Sequence, residues 1–294
     1  MPEPLFLLSA PRSFSSVTGS ILGQHPQTYG LPELNLFLGD TLGEAWNALG
    51  HVLPLGHDGI LRTIAELVEG KQTEETIVSA RQWTIKNAHW PTRKVFDFIQ
   101  EAVGDKILVE KSPSLTLMPN ALERMYSNFP QASFLHLVRH PRATGKSVLE
   151  LHKNYGKRTG GRTLLDPEQL WLRCNQNAAD FGATLPTGQY MRIKGEWLMT
   201  DPYTYLPQIA QWLDIDDGPD AIEEMLHPEN SPYACVGPEG APYGNDPNFL
   251  KNPNLDRERM QKISEPRLDD AIDWRPGEHF TRPVVKLANQ FGYQ

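Results

Sequence analysis

Cysteine is scarce in this chain. Only Cys174 and Cys235 occur in 294 residues, and neither belongs to a C-x-x-C. That excludes a disulfide framework and gives no basis for a thiolate zinc site. Long apolar runs are also missing. No stretch approaches the roughly 18–20 residues of a membrane span. Leu5–Leu8 is too short for a signal-peptide core and has no basic segment before it. The expected location is the cytoplasm, with no membrane partner. Positive charge is in deficit, with 28 Lys and Arg against 36 Asp and Glu, a net charge of −8. Such a surface disfavours nucleic acid as a partner but leaves room for a small anion in a local basic pocket. There is no internal repeat, no low-complexity tract and no ATP-type loop of the form G-x-x-x-x-G-K-S/T.

What is present describes a globular protein. Hydrophobic residues make up 39% and charged residues 22%. The length suits one large α/β domain with a substantial core. Leu5 to Leu8 reads as a buried strand, 5–9, followed by a loop to 16 and a helix over 16–24. Thr28–Leu31 reads as a short second strand. Residues 34–50 read as helical, and Gly50 to Gly59 as a loop because of its breakers. Helices are expected over 60–70, 73–88, 91–103, 115–128, 141–152, 167–183, 202–213, 218–226 and 281–291. Strands are expected at 107–109, 134–138 and 190–193. Lys153–Leu165, glycine-rich and basic, reads as a mobile loop. The aperiodic 228–256 reads as a long loop, which in a compact domain usually carries function. Strands that alternate with helices predict an α/β fold with a central parallel sheet and ligands at the strands' carboxyl ends.

Four groupings carry chemistry. The segment 10–17, APRSFSSV, joins a strand to a helix and supplies Arg12, Ser13, Ser15 and Ser16. Such a strand-loop-helix can hold a phosphate through hydroxyls, backbone N–H groups and the helix dipole; the plainer reading is a serine-rich cap beside an exposed Arg. Arg139 ends an apolar strand and Ser147 lies about two helical turns on, an arrangement that can grip a second phosphate; alone, it is also a surface Arg and a neutral Ser. Lys111, in Glu110-Lys111-Ser112-Pro113, can point into the crevice beyond a strand end or lie solvated in a turn. Glu33 is placed to be a general base, or a first-turn carboxylate beside a helix dipole. His227, at the start of the long loop, is a second base candidate. His136 reads as a core histidine, and His140 as a shaper of the turn after Arg139.

In order, these segments resemble the sulfotransferases. APRSFSSV is similar to that family's 5′-phosphosulfate loop, usually P-R/K-S-G-T-T, and LVRHPRATGKS to its 3′-phosphate motif. VEKSP resembles the D-K-T/S-P of bacterial and tyrosylprotein enzymes, and QHP followed by Pro32-Glu33 sits where the latter carry a catalytic Glu. Tyr190 to Glu196 resembles the family's Y-x-x-R-Y-E-D-L strand, and Leu287 to Tyr293 its usual ending. Gln82-Trp83, Thr92 to Phe98, and the stretches His227–Tyr233 and Gly244–Leu250 are similar to sulfotransferase domains of modular polyketide synthases. Three departures stand out. Phe14 replaces the loop's usual Gly, Gly195 replaces a Tyr that many relatives hold near the adenine, and the C-terminal R-K-G of the cytosolic enzymes is missing.

The resemblance implies a single domain over 1–294 with a P-loop-like phosphate site. It also implies a helical acceptor-site insertion at about 34–105, and a long loop at about 228–256 that completes the 3′-phosphate grip. It implies 3′-phosphoadenosine 5′-phosphosulfate (PAPS) as donor, 3′,5′-diphosphoadenosine (PAP) as product, and no metal. Arg12, Ser13, Phe14, Ser15, Ser16 and Val17 would form the 5′-phosphate loop, and Arg139, Ser147 and Arg192 the rest of the nucleotide site. Arg12 and Lys111 would stabilise the leaving group, with Glu33 or His227 as base. For the polyketide-type domains the implied acceptor is the β-hydroxyl of an acyl chain on an acyl carrier protein, followed by a thioesterase. The segment Lys153–Arg162 would be a lid or a carrier contact. Three other readings stay open: a free small-molecule alcohol or phenol as acceptor, a P-loop kinase, and a PAP-binding module that only docks carrier proteins.

Overall fold

The computed structural model describes residues 2–52, 56–155 and 166–294. Five strands form one parallel sheet: β1 (Leu5–Ser9), β2 (Thr28–Gly30), β3 (Ile107–Lys111), β4 (Ser133–Val138) and β5 (Tyr190–Lys194), in the order β2-β3-β1-β4-β5. The chain goes from β1 out to the edge strand β2, returns to β3 between the two, then crosses to the other side of β1 for β4 and β5. The topological switch therefore lies at β1, and the carboxyl ends of β1, β3 and β4 open onto one crevice.

Every residue of β1 is buried, because a parallel sheet is covered on both faces. Phe6 and Leu8 face a large cluster that includes Phe37, Phe96, Phe129 and Phe134. Phe6 has ring neighbours at 5.5 to 5.9 Å on all four. Leu5 and Leu7 point the other way, into a cluster with Ile21, Leu135, Leu198 and Leu206. This period-two division of β1 makes it the centre of both layers.

The helices are α1 (Ser15–Gly23), α2 (Leu42–Val52), α3 (Asp58–Glu69), α4 (Glu74–Lys86), α5 (Thr92–Val103), α6 (Pro119–Asn128), α7 (Pro141–Tyr155), α8 (Pro167–Gly182), α9 (Gly195–Thr200), α10 (Pro202–Trp212), α11 (Pro219–Met225), α12 (Pro247–Lys251), α13 (Arg257–Gln261) and α14 (Arg282–Gln290). The segment α2–α5 is inserted between β2 and β3. Among the described residues no helix is long and apolar enough to cross a membrane.

Several expectations need correction. The helix expected over 34–50 is broken. Asn35 takes φ 54°, a 3-10 turn covers Leu36–Leu38, and Gly39 is extended. The helix then restarts at Leu42 through a capping box, in which the Glu44 carboxylate accepts from the Thr41 N–H and the Thr41 hydroxyl from the Glu44 N–H. The loop expected from Gly50 to Gly59 is shorter, since α2 reaches Val52 and α3 begins at Asp58. The helix expected over 115–128 is divided at Met118, because Pro119 occupies the first turn of α6 and cannot continue the 3-10 turn Pro113–Leu117. Helices α9, α12 and α13 were not anticipated. Within 228–256 a 3-10 turn, Pro228–Asn230, and α12 give order. Of the glycine-rich 153–165, the first residues extend α7 to Tyr155, and 156–165 lie outside the described residues.

Candidate active site

The loop after β1 is bent by two left-handed residues, Arg12 at φ 70° and Phe14 at φ 65°. Each such non-glycine residue costs roughly 1–2 kcal/mol, so the surrounding contacts must hold the conformation. The bend delivers the chain directly into α1, with Phe14 at its N-cap and the Thr18 N–H bonded to the Phe14 carbonyl at 2.9 Å. Ser13 and Thr18 are buried, and their hydroxyls have no hydrogen-bond partner among the described residues. Left unsatisfied, each costs about 1–3 kcal/mol. Hydroxyls orphaned beside a helix N-terminus fit a phosphate group.

The two phosphate-type motifs meet at this loop. Arg12 Nε donates to Ser147 Oγ at 3.0 Å, and its guanidinium forms an ion pair with Asp246. Arg139 Nη1 donates to the Arg12 carbonyl at 2.7 Å, and its guanidinium lies 4.2 Å from the centre of the Phe14 ring. Trp171 Nε1 donates to the Arg139 carbonyl at 2.7 Å, which fixes the strand end from below.

Lys111 and Glu33 meet beside Ser16. The ammonium of Lys111 is buried and donates to Ser16 Oγ at 3.1 Å and to Glu33 Oε1 at 3.2 Å. Its stem crosses α1 at Gly19, where an added Cβ would stand 2.9 Å from Lys111 Cγ. Burial pushes the Lys111 pKa down, and the Glu33 charge opposes that shift. Glu110, on the opposite face of β3, is pushed up to about 7 by burial, offset in part by its bonds from Ser112 and the Leu34 N–H and by the Lys111 charge. Ser112 Oγ in turn accepts from the Asn35 N–H at 2.9 Å, so β3 pins the chain just beyond Glu33.

The segment 244–246 closes the other side. Glu33 N–H donates to the Gly244 carbonyl at 2.7 Å, and Asp246 N–H to Ser16 Oγ at 2.9 Å. The second carboxylate oxygen of Asp246 caps α12 through Asn248 N–H at 2.7 Å. The long loop thus contacts Arg12, Ser16 and Glu33. The α7 side is covered instead by 270–274. Arg142 donates to the Ala271 and Asp270 carbonyls, and Trp274 packs on Gly145.

The structure therefore brings together Arg12, Phe14, Ser16, Glu33, Lys111, Arg139 and Ser147. Ser13 and Ser15 lie buried in the same loop, and Val17 packs against Ala234, Phe249 and Leu250. Two residues make their described contacts with other partners. Arg192 is exposed mid-strand on β5 and its guanidinium stacks on Phe291 at 4.7 Å. His227 is exposed and bonded to Glu229 at 2.9 Å. His136 is a core residue, held by Tyr190 and Asn175, with its pKa driven down to about 3 by burial. His140 is likewise held neutral, near 3, by burial and by Arg142, Lys194 and Arg139. Asp246 was missed, although its place ahead of Pro247 is a helix-start signal.

This strand-loop-helix with converging cations has the make-up of a site for an anionic group. A model of the sulfotransferase family matches residues 4–219, and the chain belongs to that family. Over 150 residues it is 27% identical to omega-hydroxy-beta-dihydromenaquinone-9 sulfotransferase Stf3 of Mycobacterium tuberculosis and Mycobacterium bovis, a match covering 41% of this chain and 37% of theirs. The match thus spans little more than a third of those curated relatives. The fold is shared along the whole chain with the sulfotransferase domain from the curacin biosynthetic pathway, at a TM-score of 0.79, 24% identity and 99% coverage of that domain. The sulfotransferase domain from the Synechococcus PCC 7002 olefin synthase gives 0.74 and 27%, with 100% of this chain and 97% of that domain covered.

Proposed function

We propose that this single domain moves a sulfuryl group from PAPS to the β-hydroxyl of an acyl chain carried on an acyl carrier protein. The observation that carries the donor half is the convergence at Arg12. The Arg12 guanidinium donates to Ser147, the Arg12 backbone carbonyl accepts from Arg139, and Ser16 in the first turn of α1 accepts from Lys111. Two anion-binding motifs and a carboxylate thus share one crevice. The acceptor half rests on full-length similarity to domains of a curacin pathway and an olefin synthase.

PAPS, when bound, supplies the sulfuryl group and departs as PAP. Arg12, the loop hydroxyls and the α1 N–H groups would hold its 5′-phosphate, and Arg139 with Ser147 its 3′-phosphate. Glu33 takes the proton of the acceptor hydroxyl as that oxygen forms its bond to sulfur. Lys111 and Arg12 offset the charge on the phosphate oxygen as its bond to sulfur breaks. Lys111 also orients Glu33, because a 3.2 Å ion pair with a buried ammonium restricts the carboxylate. A free hydroxylated acceptor is the second reading, favoured by the similarity to an enzyme named for an omega-hydroxy quinone.

The test is intact-mass analysis with PAPS and a panel of acceptors. An 80-dalton gain, the approximate mass of SO3, is expected on 3-hydroxyacyl carrier proteins. A gain only on free alcohols would replace the carrier-bound reading with the second.

A further inference from the structure

Phe14 and Gly195 were two separate irregularities in the sequence, and the fold places them against each other. A Cβ at Gly195 would come within 2.7 Å of Phe14 Cδ2, and 3.4 Å from the Val138 carbonyl. Gly195 opens α9, directly after β5, so its bare backbone leaves a slot above the ends of β4 and β5. The Phe14 ring fills that slot. Phe14 does so from φ 65° and ψ 11°, a conformation in which a bulky side chain is strained and for which glycine would be the unstrained choice. Strain of this kind persists where neighbouring contacts hold it.

The neighbouring contact is Arg139. Its guanidinium stacks on the Phe14 ring at 4.2 Å, and Nη1 is tied to the Arg12 carbonyl at 2.7 Å. The ring fixes one face of the planar guanidinium and the carbonyl fixes one edge. A phosphate is gripped best by a guanidinium already held in plane. We infer that Phe14 is a positioning residue for Arg139, and that Gly195 is glycine because the Phe14 ring needs its space. This rests on Arg139 as the 3′-phosphate ligand of the proposed function.

The experiment compares Kd for PAP with Kd for adenosine 5′-phosphate, which lacks the 3′-phosphate and serves as the control for an intact site. Phe14→Leu keeps apolar bulk but loses the ring face. It should weaken PAP at least about fivefold more than it weakens adenosine 5′-phosphate, so that the preference for PAP, the Kd for adenosine 5′-phosphate divided by that for PAP, falls about fivefold or more. Phe14→Tyr restores the face and should restore PAP binding. Gly195→Ala should weaken PAP in the native background and cost little in a Phe14→Gly background, where the slot is empty. An unchanged PAP preference in Phe14→Leu, with the preference lost in Arg139→Ala, overturns the role of Phe14 alone. An unchanged preference in Arg139→Ala overturns the 3′-phosphate reading beneath it. Equal cost of Gly195→Ala in both backgrounds overturns the pairing.

Discussion

Glu33 and Lys111 divide the work of base and charge at a separation of 3.2 Å. Glu33→Gln keeps the shape of the side chain and removes its proton affinity. It should lower turnover by roughly 10²–10⁴-fold while leaving PAP affinity within twofold, measured by steady-state transfer and calorimetry. Near-native turnover would remove Glu33 as base. Asp246 raises a different question, because its carboxylate shares the Arg12 guanidinium that is to meet a phosphate. Asp246→Asn retains the cap on α12, since Asn caps as well as Asp, but drops the charge. PAP should then bind about three- to tenfold more tightly, because one anion no longer competes for Arg12. Weaker binding would mean that Asp246 orients Arg12 instead. That Arg12, Arg139 and Ser147 lie together was foreseen only through the resemblance of their two segments to sulfotransferase motifs, since spacing alone reads equally as a serine-rich cap and a surface Arg. Asp246 was not, because its partner lies at the other end of the chain and no local pattern encodes that distance.

Strand β3 shows how one element serves two purposes. Its alternation sends Lys111 across Gly19 to the site and Glu110 to the opposite face, onto Ser112 and the Leu34 N–H. Burial raises Glu110 from 4.5 to about 7. A raised carboxylate pKa means that the folded state binds more protons than the unfolded one. The stabilisation from that proton is complete below about pH 4.5 and is lost as pH rises through about 7. Native protein should therefore lose stability between pH 5 and pH 8, by no more than roughly 3 kcal/mol from this group. Glu110→Gln should flatten that slope in thermal unfolding followed across the range; an identical slope would show that Glu110 is not the titrating group. Strand β3 was foreseen only as 107–109, because Glu110-Lys111 reads as a polar end, whereas both residues are buried and paired in register with β1. Helix α12 escaped notice for a simpler reason: five residues are too few to display a period.

At the scale of the molecule, the sheet was readable and the strap over it was not. The apolar runs of β1 and β4 imply buried parallel strands, but the 228–256 segment has no periodicity and owes its order to distant partners. Arg62 is fully buried in α3. It donates to the Tyr243 carbonyl at 2.7 Å, while Asp58 accepts the Tyr243 N–H at 2.9 Å. Gln72 holds the Pro232 carbonyl at 2.9 Å, and Glu74 the Gly240 N–H at 3.2 Å. From there the same segment reaches Glu33 and Ser16. The inserted helices are thus linked to the phosphate loop through the strap, at residues that bind neither donor nor acceptor in the proposed mechanism. Arg62→Met retains much of the volume but removes the bonds to the Tyr243 carbonyl and to Gln72, a loss of about 1–3 kcal/mol for buried polar groups that lose a partner. Hydrogen exchange should then lose protection first over 233–250, with β1 and β4 still protected, and turnover should fall without a matching fall in PAP affinity. Uniform loss of protection across β1 and the strap together would show that Arg62 supports the whole fold rather than the link between acceptor helices and donor loop.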